Sequence, residues 1–281
     1  VSGFDKFLVK LGEAPVVFDS VSTLKSLKRL QSYYYNKGYF NVKTSFSTDI
    51  SKNKKVGVKY DIKLGKPFIL DTISTEIASP ALDSLYKLKA SNSFVKNKQQ
   101  YKTEDFENER TRITNEFRNN GVYSFQPNYI TFHLDTIDKG TNVNAKLIIR
   151  DQEIRVNYTT KTQPFSIYTI SKINVFTDVS NKKNNIFVKD SVLYNGFHIY
   201  SENKLKYRPK SITDAIFIAP GSVFSETKTI LTSKYLSNLQ VFDYPTINYQ
   251  IDKKNKNALI ANIFLTPRDK YTFQLSADFI H

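Results

Sequence analysis

Asn36-Lys37-Gly38-Tyr39-Phe40 is a short anchor that recurs along the chain. It returns 83 residues later as Asn119-Asn120-Gly121-Val122-Tyr123, and more faintly, a further 119 residues on, as Asn238-Leu239-Gln240-Val241-Phe242. Recurrence at such intervals indicates several copies of one small fold. We therefore expect three consecutive repeats in the 281-residue chain.

The residues before each anchor have the periodicity of an amphipathic helix. Thr103 and Ser225 are predicted N-caps, and Gly38 and Gly121 lie where a glycine in the left-handed conformation ends a helix. Each repeat is therefore predicted to contain a helix before its anchor. The predicted apolar stripes are Leu24, Leu27, Leu30 and Tyr34; Phe106, Ile113 and Phe117; and Leu231, Tyr235 and Leu239.

After each anchor the apolar side chains alternate with a period of two, which is typical of strands with one buried face. Two such runs follow each anchor, and polar turns at 51–55, 135–141 and 252–257 separate them, which predicts a hairpin. Further apolar strands at 68–73 and 168–175 open the second and third repeats, and a shorter helix fits near 81–90. The predicted order is strand, helix, helix, strand, strand.

These elements predict an α+β fold of three tandem domains, each with a three-stranded sheet covered by two helices. The predicted domains are 1–66, 67–150 and 151–267, and the first lacks a clear opening strand, which lies upstream or has been truncated. The third repeat is longer than the second by 36 residues. We place the surplus in an insertion near 179–212, with one hairpin around 194–200.

The last residues, 268–281, follow the third predicted domain. Their apolar side chains alternate strictly, as in a strand that crosses a membrane in a β-barrel. A disordered stub or a last strand of the third domain is equally compatible with the pattern. The alternating residues are Tyr271, Phe273, Leu275, Ala277 and Phe279.

The composition excludes several kinds of site. The chain has no Cys, so a disulfide framework, a thiolate nucleophile and a zinc ribbon are absent from these residues. His133, His198 and His281 lie far apart in the sequence, and no metal-ligand spacing or phosphate-binding loop occurs. We therefore predict no catalytic residue, metal or cofactor, and not an enzyme. Because the chain begins with Val1 and has no Met, we expect a processed chain or part of a longer one.

The net charge of +15 raises the question of nucleic-acid binding. Only 8 of the 41 basic residues are Arg, however, and the lysines are spread over polar turns such as 52–55. Sequence-specific recognition of nucleic-acid bases relies on Arg, so nucleic acid is not an expected partner. A mild affinity for anionic surfaces such as phospholipid head groups is expected. A basic polyanion-binding module is the alternative from another functional class, and its binding would fall steeply with salt.

The ordered set of three repeats resembles the POTRA (polypeptide-transport-associated) domains of outer-membrane assembly factors. The resemblance lies in residues 30–40, in the hairpin ending at 62–68, in 109–123 and in 130–136. Together with 11–15, these residues look most like the outer-membrane subunit of the translocation and assembly module, TamA or its TamL variant of Bacteroidetes. That subunit is expected to carry three such domains. A BamA-type general barrel-assembly subunit, expected to carry five, is the alternative within the fold.

The resemblance implies a periplasmic location, with attachment to the outer membrane through a C-terminal β-barrel outside this chain. It also implies a role in outer-membrane protein assembly and transport. The implied partners are an inner-membrane-anchored TamB-like protein, docked at the first domain, and unfolded outer-membrane β-barrel clients.

Small sheets leave edges, and an extended client can complete the unpaired N–H and C=O groups of an edge by β-augmentation. In the family, the edge is expected to be the strand after the turn, here 39–46, 129–135 and 247–251. A protected edge of an ordinary core sheet is the alternative for each strand. The predicted client-binding residues are Tyr39, Phe40, Val42, Thr44, Phe46, Tyr129, Thr131, His133, Ile247, Tyr249 and Ile251.

Overall fold

A computed structural model describes residues 17–53, 55–156, 158–178 and 187–268. The predicted barrel strand or stub, apart from residue 268, therefore lies outside the described residues, as does the first part of the insertion. The chain divides into two compact units, which are described separately. The first comprises Val1–Ser74, Phe94–Glu107 and His133–Lys146, and the second comprises Thr75–Ser93, Asn108–Phe132 and Leu147–His281.

The fold is α+β, and its elements follow the predicted order. The first repeat contains α1 (Ser20–Asn36), β1 (Lys43–Ile50) and β2 (Val56–Lys63), without an opening strand among the described residues. The second contains β3 (Ile69–Ile77), α2 (Pro80–Leu88), α3 (Thr103–Asn119), β4 (Ile130–Asp135) and β5 (Asn142–Ile149). Then come β6 (Gln152–Val156) and β7 (Thr159–Gln163), an antiparallel hairpin that the sequence analysis did not predict.

The third repeat begins with β8 (Thr169–Phe176), β9 (Asp190–Tyr194) and β10 (Phe197–Ser201). It continues with α4 (Pro209–Thr213), α5 (Glu226–Asn238), β11 (Phe242–Ile251) and β12 (Ala258–Pro267). The predicted order of strand, helix, helix, strand, strand is thus confirmed in the second and third repeats, with β9 and β10 inserted after the opening strand of the third.

The sheets place the strand that follows each anchor at an edge. β1 and β2 form a two-stranded antiparallel sheet. The second repeat has a three-stranded sheet in the order β3-β5-β4, and the third has a five-stranded sheet in the order β11-β12-β8-β10-β9. β4 and β11 are therefore outer strands of their sheets.

The insertion extends the sheet of the third repeat. β9 and β10 are joined by Asn195-Gly196, and both residues have a positive φ, 48° and 82°, as a tight hairpin turn requires. β10 runs parallel to β8, with Phe197 opposite Ile173. Phe197 and Ile199 are buried in the core of the repeat. The predicted hairpin is confirmed, and it is an integral part of the main sheet.

The apolar stripes of the helices agree with the prediction only in part. Phe106, Ile113 and Phe117 are buried as predicted. Leu24, however, is exposed, because α1 has only a two-stranded sheet against which to pack and buries only Thr23. In α5 Tyr235 is exposed, and the buried residues lie one position further along, at Thr232 and Leu236.

Apolar packing in the second compact unit centres on two clusters. One cluster is formed mainly by β8, β10 and β12 with α5, and its members include Ile170, Ile173, Ile199 and Phe242. The other cluster combines the second repeat with Phe165, whose N–H donates to Ser79 Oγ at 2.8 Å. It includes Leu82, Ile113, Phe117, Val122, Phe125, Ile130, Leu147 and Ile149.

The turn between β11 and β12 provides a test by pH. Asp252 accepts hydrogen bonds from Asn255 Nδ2 (2.8 Å), the Lys254 N–H (2.8 Å) and Ser171 Oγ (2.7 Å). These bonds, the one from Asn255 above all, lower the pKa of Asp252 from 3.8 to about 2. Because the folded pKa is the lower one, the stabilisation is present above pH 3.8 and is lost as the pH falls towards 2.

We expect Asp252→Asn to flatten the fall in unfolding free energy between roughly pH 4 and 2, measured by urea denaturation. Asp214→Asn, which changes the carboxylate directly after the short helix α4, is the control. If the unfolding free energy of Asp252→Asn fell between pH 4 and 2 as steeply as that of the unaltered chain, the prediction would be contradicted.

Candidate functional site: sheet edges and repeat joints

The first predicted client-binding strand begins later than expected. Tyr39, Phe40 and Val42 lie in the turn before β1, which starts at residue 43. Val42 is buried, and the half-buried Phe40 ring lies 4.7 Å from Phe68 and 5.0 Å from Tyr101. These three residues are therefore not on the edge strand.

Four of the other predicted residues in the first two repeats lie on outer strands. Thr44 and Phe46 are half-buried on β1, Thr131 is half-buried on β4, and His133 is exposed on β4. Tyr129 instead lies in the 3₁₀ turn Pro127–Tyr129, where its ring packs 5.0 Å from Phe165. The structure does not bring these residues into one site.

On the outer strand β11, two predicted residues, Ile247 and Tyr249, line a cavity. Its pairing with β12 is interrupted by a bulge between Asp243 and Thr246 and is regular from Thr246 to Ile251. Ile247 and Tyr249 pack against the core, whereas Ile251 is exposed. The usable part of this edge therefore begins after the bulge.

Gly38 and Gly121, predicted as structural turns, occupy the same place in two consecutive repeats. Both have a positive φ, 87° and 95°. The Gly38 C=O accepts a hydrogen bond from the Phe68 N–H at 2.8 Å, and the Gly121 C=O accepts one from the Tyr168 N–H at 2.9 Å. Each anchor glycine thus binds the chain at the start of the following repeat, and we call these contacts the first and the second joint.

Each joint also contacts the helix start of the following repeat through the asparagine two positions before the glycine. In the first joint Thr103 Oγ1 donates to Asn36 Oδ1 at 3.3 Å. In the second joint Ser225 Oγ and the Thr227 N–H donate to Asn119 Oδ1 at 3.0 Å and 2.8 Å. The anchor asparagine is therefore a recurring contact between repeats.

The two joints differ in their ion pairs. In the first joint Lys37 Nζ lies 3.4 Å from Glu104, whose side chain is 69% exposed. In the second joint Arg118 Nε and Nη2 donate to the two carboxylate oxygens of Glu226 at 2.5 Å and 2.6 Å. Arg118 and Glu226 are only 19% and 33% exposed, and Arg118 Nη1 also donates to the Phe125 C=O at 2.9 Å.

This difference predicts unequal contributions to stability. We expect a double-mutant cycle on Arg118→Ala and Glu226→Ala to give a coupling of about 2 kcal/mol, since the pair is bidentate and partly buried. The same cycle on Lys37→Ala and Glu104→Ala is the matched control, and an exposed pair of this kind contributes roughly 0–1 kcal/mol. Unfolding free energies in urea measure both. Equal couplings at the two joints would contradict the assignment.

A cavity of about 400 Å³ lies beside the second joint, and we call it the joint pocket. Three of its walls are the rings of Tyr123, Phe224 and Tyr249, whose centroids lie 5.1–5.6 Å from one another. Tyr249 Oη forms a hydrogen bond with Thr229 Oγ1 at 2.5 Å, and burial raises the pKa of Tyr249 to about 12, so its hydroxyl stays neutral. The lining residues are Arg118, Tyr123, Phe224, Glu226, Thr229, Ile247, Asn248 and Tyr249.

The described ranges contain no group of three or more His, Asp or Glu side chains that could hold a metal ion. His133 and His198 lie on β4 and β10, in different sheets. Among the described helices none is long and apolar enough to cross a membrane. Among the described residues, the sheet edges and the joint pocket are two features that could bind a partner.

Comparison with known proteins identifies one family and several solved structures. Residues 8–65 match the POTRA family, described as the surface antigen variable number repeat. No curated protein sequence matches the chain.

Three solved structures illustrate the structural similarities. Domains POTRA3-5 of BamA from Haemophilus influenzae share 12% identity with the chain, at a TM-score of 0.41, over 90% of this chain and 84% of that one. BamA from Haemophilus ducreyi lacking POTRA domains 1-3 shares 10% identity, at a TM-score of 0.45, over 72% and 30% of the two chains. The N-terminal domain of Omp85 from Thermosynechococcus elongatus shares 11% identity, at a TM-score of 0.31, over 96% and 94%.

Proposed function

We propose that this chain is the POTRA region of an Omp85-type outer-membrane assembly or transport factor. The match of residues 8–65 to the POTRA family supports the proposal directly. The order of strand, helix, helix, strand, strand in the second and third repeats supports its extension beyond the matched segment. On this proposal the domains are 1–66, 67–150 and 151–267, the chain stands in the periplasm, and a C-terminal barrel attaches it to the outer membrane.

The proposed activity is binding of unfolded outer-membrane β-barrel proteins by β-augmentation. The observation that carries it is the position of β4 and β11 as outer strands of their sheets. An outer strand exposes a row of N–H and C=O groups, and an extended client can pair with them without a defined side-chain sequence. Such binding suits a factor that handles many clients.

The resemblance to TamA and TamL extends the proposal to a particular partner. We propose that the first repeat docks a TamB-like, inner-membrane-anchored protein. Among the described residues, both strands of its β1–β2 sheet are outer strands, which leaves the edge of either one for such a partner. A BamA-type subunit is the alternative, and a count of the POTRA domains in the full-length protein distinguishes the two.

Photocrosslinking at the sheet edges tests the proposed activity. A photoreactive amino acid would replace Ser47 on β1, His133 on β4 or Ile251 on β11, all of which are exposed. Lys234, exposed on α5, is the control position. We expect unfolded barrel proteins or a TamB-like partner to be crosslinked from at least one edge position, at low and at high salt, and not from residue 234.

Two results would contradict the proposal. Equal crosslinking from residue 234 and from all the edges would show that binding does not use sheet edges. Capture of nucleic acid alone, abolished by salt, would instead support the polyanion-binding alternative.

A further inference from the structure

The joint pocket opens beside the regular part of the edge strand β11. Ile247, Asn248 and Tyr249 belong to both the pocket lining and the strand, and the bulge that distorts β11 ends before them. A polypeptide strand added along β11 would therefore pass the pocket. Because successive side chains of a strand point to opposite faces, every second side chain of the added strand would face the pocket side.

Four polar side chains of the joint pocket, those of Arg118, Glu226, Thr229 and Tyr249, already have hydrogen-bond partners. Nε and Nη2 of Arg118 bind Glu226, and its Nη1 binds the Phe125 C=O. Thr229 Oγ1 donates its proton to the Ser225 C=O at 3.0 Å, so the hydroxyl of Tyr249 donates to Thr229. These groups favour neither a carboxylate nor a phosphate as ligand, since the cation that would hold an anion is neutralised by Glu226.

The remaining walls favour a flat apolar side chain. The rings of Tyr123, Phe224 and Tyr249 are inclined to one another by 59–89°, and Tyr123 and Tyr249 are half-buried whereas Phe224 is buried. Aromatic pairs prefer such edge-to-face arrangements. A cavity of about 400 Å³ has room for one ring.

Further along the same sheet, next to its outer strand β9, lies a strand that was added to the repeat. There β10 pairs with β8 and buries Phe197 and Ile199, two residues apart, while His198 between them stays half-buried. The chain thus already contains a strand that extends this sheet and anchors it with a phenylalanine. A strand paired with β11 would place the side chain opposite Tyr249 beside the joint pocket.

We propose that the joint pocket receives one aromatic side chain of a polypeptide strand that pairs with β11. The inference rests on the proposed function and specifies a side-chain preference for it. Clients would be held by their main chain along β11 and positioned by an aromatic residue at the pocket. Strand pairing alone depends little on the sequence of the client. The pocket would fix the register in which a client strand pairs with β11.

Synthetic peptides test the inference on the unaltered 281-residue chain. The probe is a ten-residue peptide of alternating valine and threonine with one central phenylalanine and terminal glutamates, and its binding is measured by fluorescence anisotropy. We expect replacement of the phenylalanine by alanine to weaken binding about tenfold or more, tyrosine to preserve it, and leucine to give an intermediate affinity. Methylation of alternate backbone nitrogens on the pairing side should abolish binding.

The outcomes separate the two proposals. Binding that requires backbone N–H groups but does not depend on the central side chain would overturn the proposal for the pocket and leave the proposal of strand pairing intact. Binding that is unaffected by backbone methylation would overturn strand pairing itself, and the absence of any binding would overturn both for this edge.

A photoreactive phenylalanine at the centre of the peptide locates the bound ring. We expect it to crosslink to Tyr123, Phe224 or Tyr249, and crosslinks confined to other parts of the chain would overturn the inference. Tyr249→Leu should lower the affinity for the phenylalanine peptide about tenfold, whereas Lys234→Ala, exposed on α5 outside the lining, should leave it within about twofold. A circular dichroism spectrum like that of the unaltered chain is required of both variants, and the peptide series decides the matter if Tyr249→Leu does not fold.

Discussion

Replacing Gly121 with alanine is expected to destabilise the second compact unit by about 3 kcal/mol. A Cβ atom at this position would lie 2.6 Å from Ile167 Cγ2, 2.8 Å from Val223 Cγ1 and 3.2 Å from the Tyr168 nitrogen. The φ of 95° adds strain, since an L-residue in the left-handed region costs roughly 1–2 kcal/mol. Forcing a methyl group into a packed site costs a further ~1–3 kcal/mol.

Gly140→Ala is the matched control for this prediction. Gly140 also has a positive φ, 63°, but a Cβ there would meet no atom within 4 Å. We expect Gly140→Ala to lower the unfolding free energy only by the backbone strain, about 1 kcal/mol. Unfolding in urea, followed by circular dichroism, measures both variants, and equal losses would show that the close approach at the second joint contributes nothing.

Arg112→Leu is expected to cost about 3–5 kcal/mol, because it leaves the buried carboxylate of Glu109 without its bidentate cation. Arg112 Nη2 and Nε donate to the two oxygens of Glu109 at 2.7 Å and 2.9 Å. The side chain of Glu109 is 1% exposed and that of Arg112 is 13% exposed. The hydrogen bonds to Glu109 raise the pKa of Arg112, so its guanidinium stays charged.

The double variant Glu109→Leu/Arg112→Leu distinguishes a lost ion pair from lost packing. If the uncompensated charge is responsible, the double variant should be more stable than Arg112→Leu alone, since two apolar side chains replace a buried pair at little cost. Lys87→Leu, which removes the exposed Lys87–Asp83 pair on α2, is the control and should cost less than ~1 kcal/mol. A double variant that is less stable than either single variant would contradict this explanation. Thermal or urea unfolding measures the stability of Arg112→Leu, Glu109→Leu, the double variant and Lys87→Leu.

Local patterns predicted those features whose cause lies close by in the sequence. Gly38 and Gly121 are recognisable because a helix stripe ends immediately before each of them, and both have a positive φ. The hairpin of the insertion was predicted near the right residues, and Asn195-Gly196 is the short-range signal that explains it.

Other features depend on partners that no local pattern reveals. In α5 the buried position is held by Thr232, whose hydroxyl accepts a hydrogen bond from the Phe217 N–H at 2.9 Å and donates to the Lys228 C=O at 2.8 Å. Hydrophobic periodicity favours Leu231 and Tyr235 there, because a satisfied polar residue in a core carries no apolar signal.

The joints were missed for a related reason. The sequence places Asn36 and Asn119 only within the anchors, and Glu226 only in the first turn of a helix, where a negative charge is favourable. Their actual partners lie 67 to 108 residues away in the sequence. The joint pocket combines the second joint with β11, so its geometry is visible only once the chain is folded.

The hairpin β9–β10 determines how far this chain can be shortened. Most long surface insertions can be excised, because the parent sheet closes without them. Here excision would remove Phe197 and Ile199 from the core and would strip a parallel neighbour from β8. The third repeat therefore cannot be trimmed to the length of the second one, and a module exchanged between such chains would have to carry its hairpin with it.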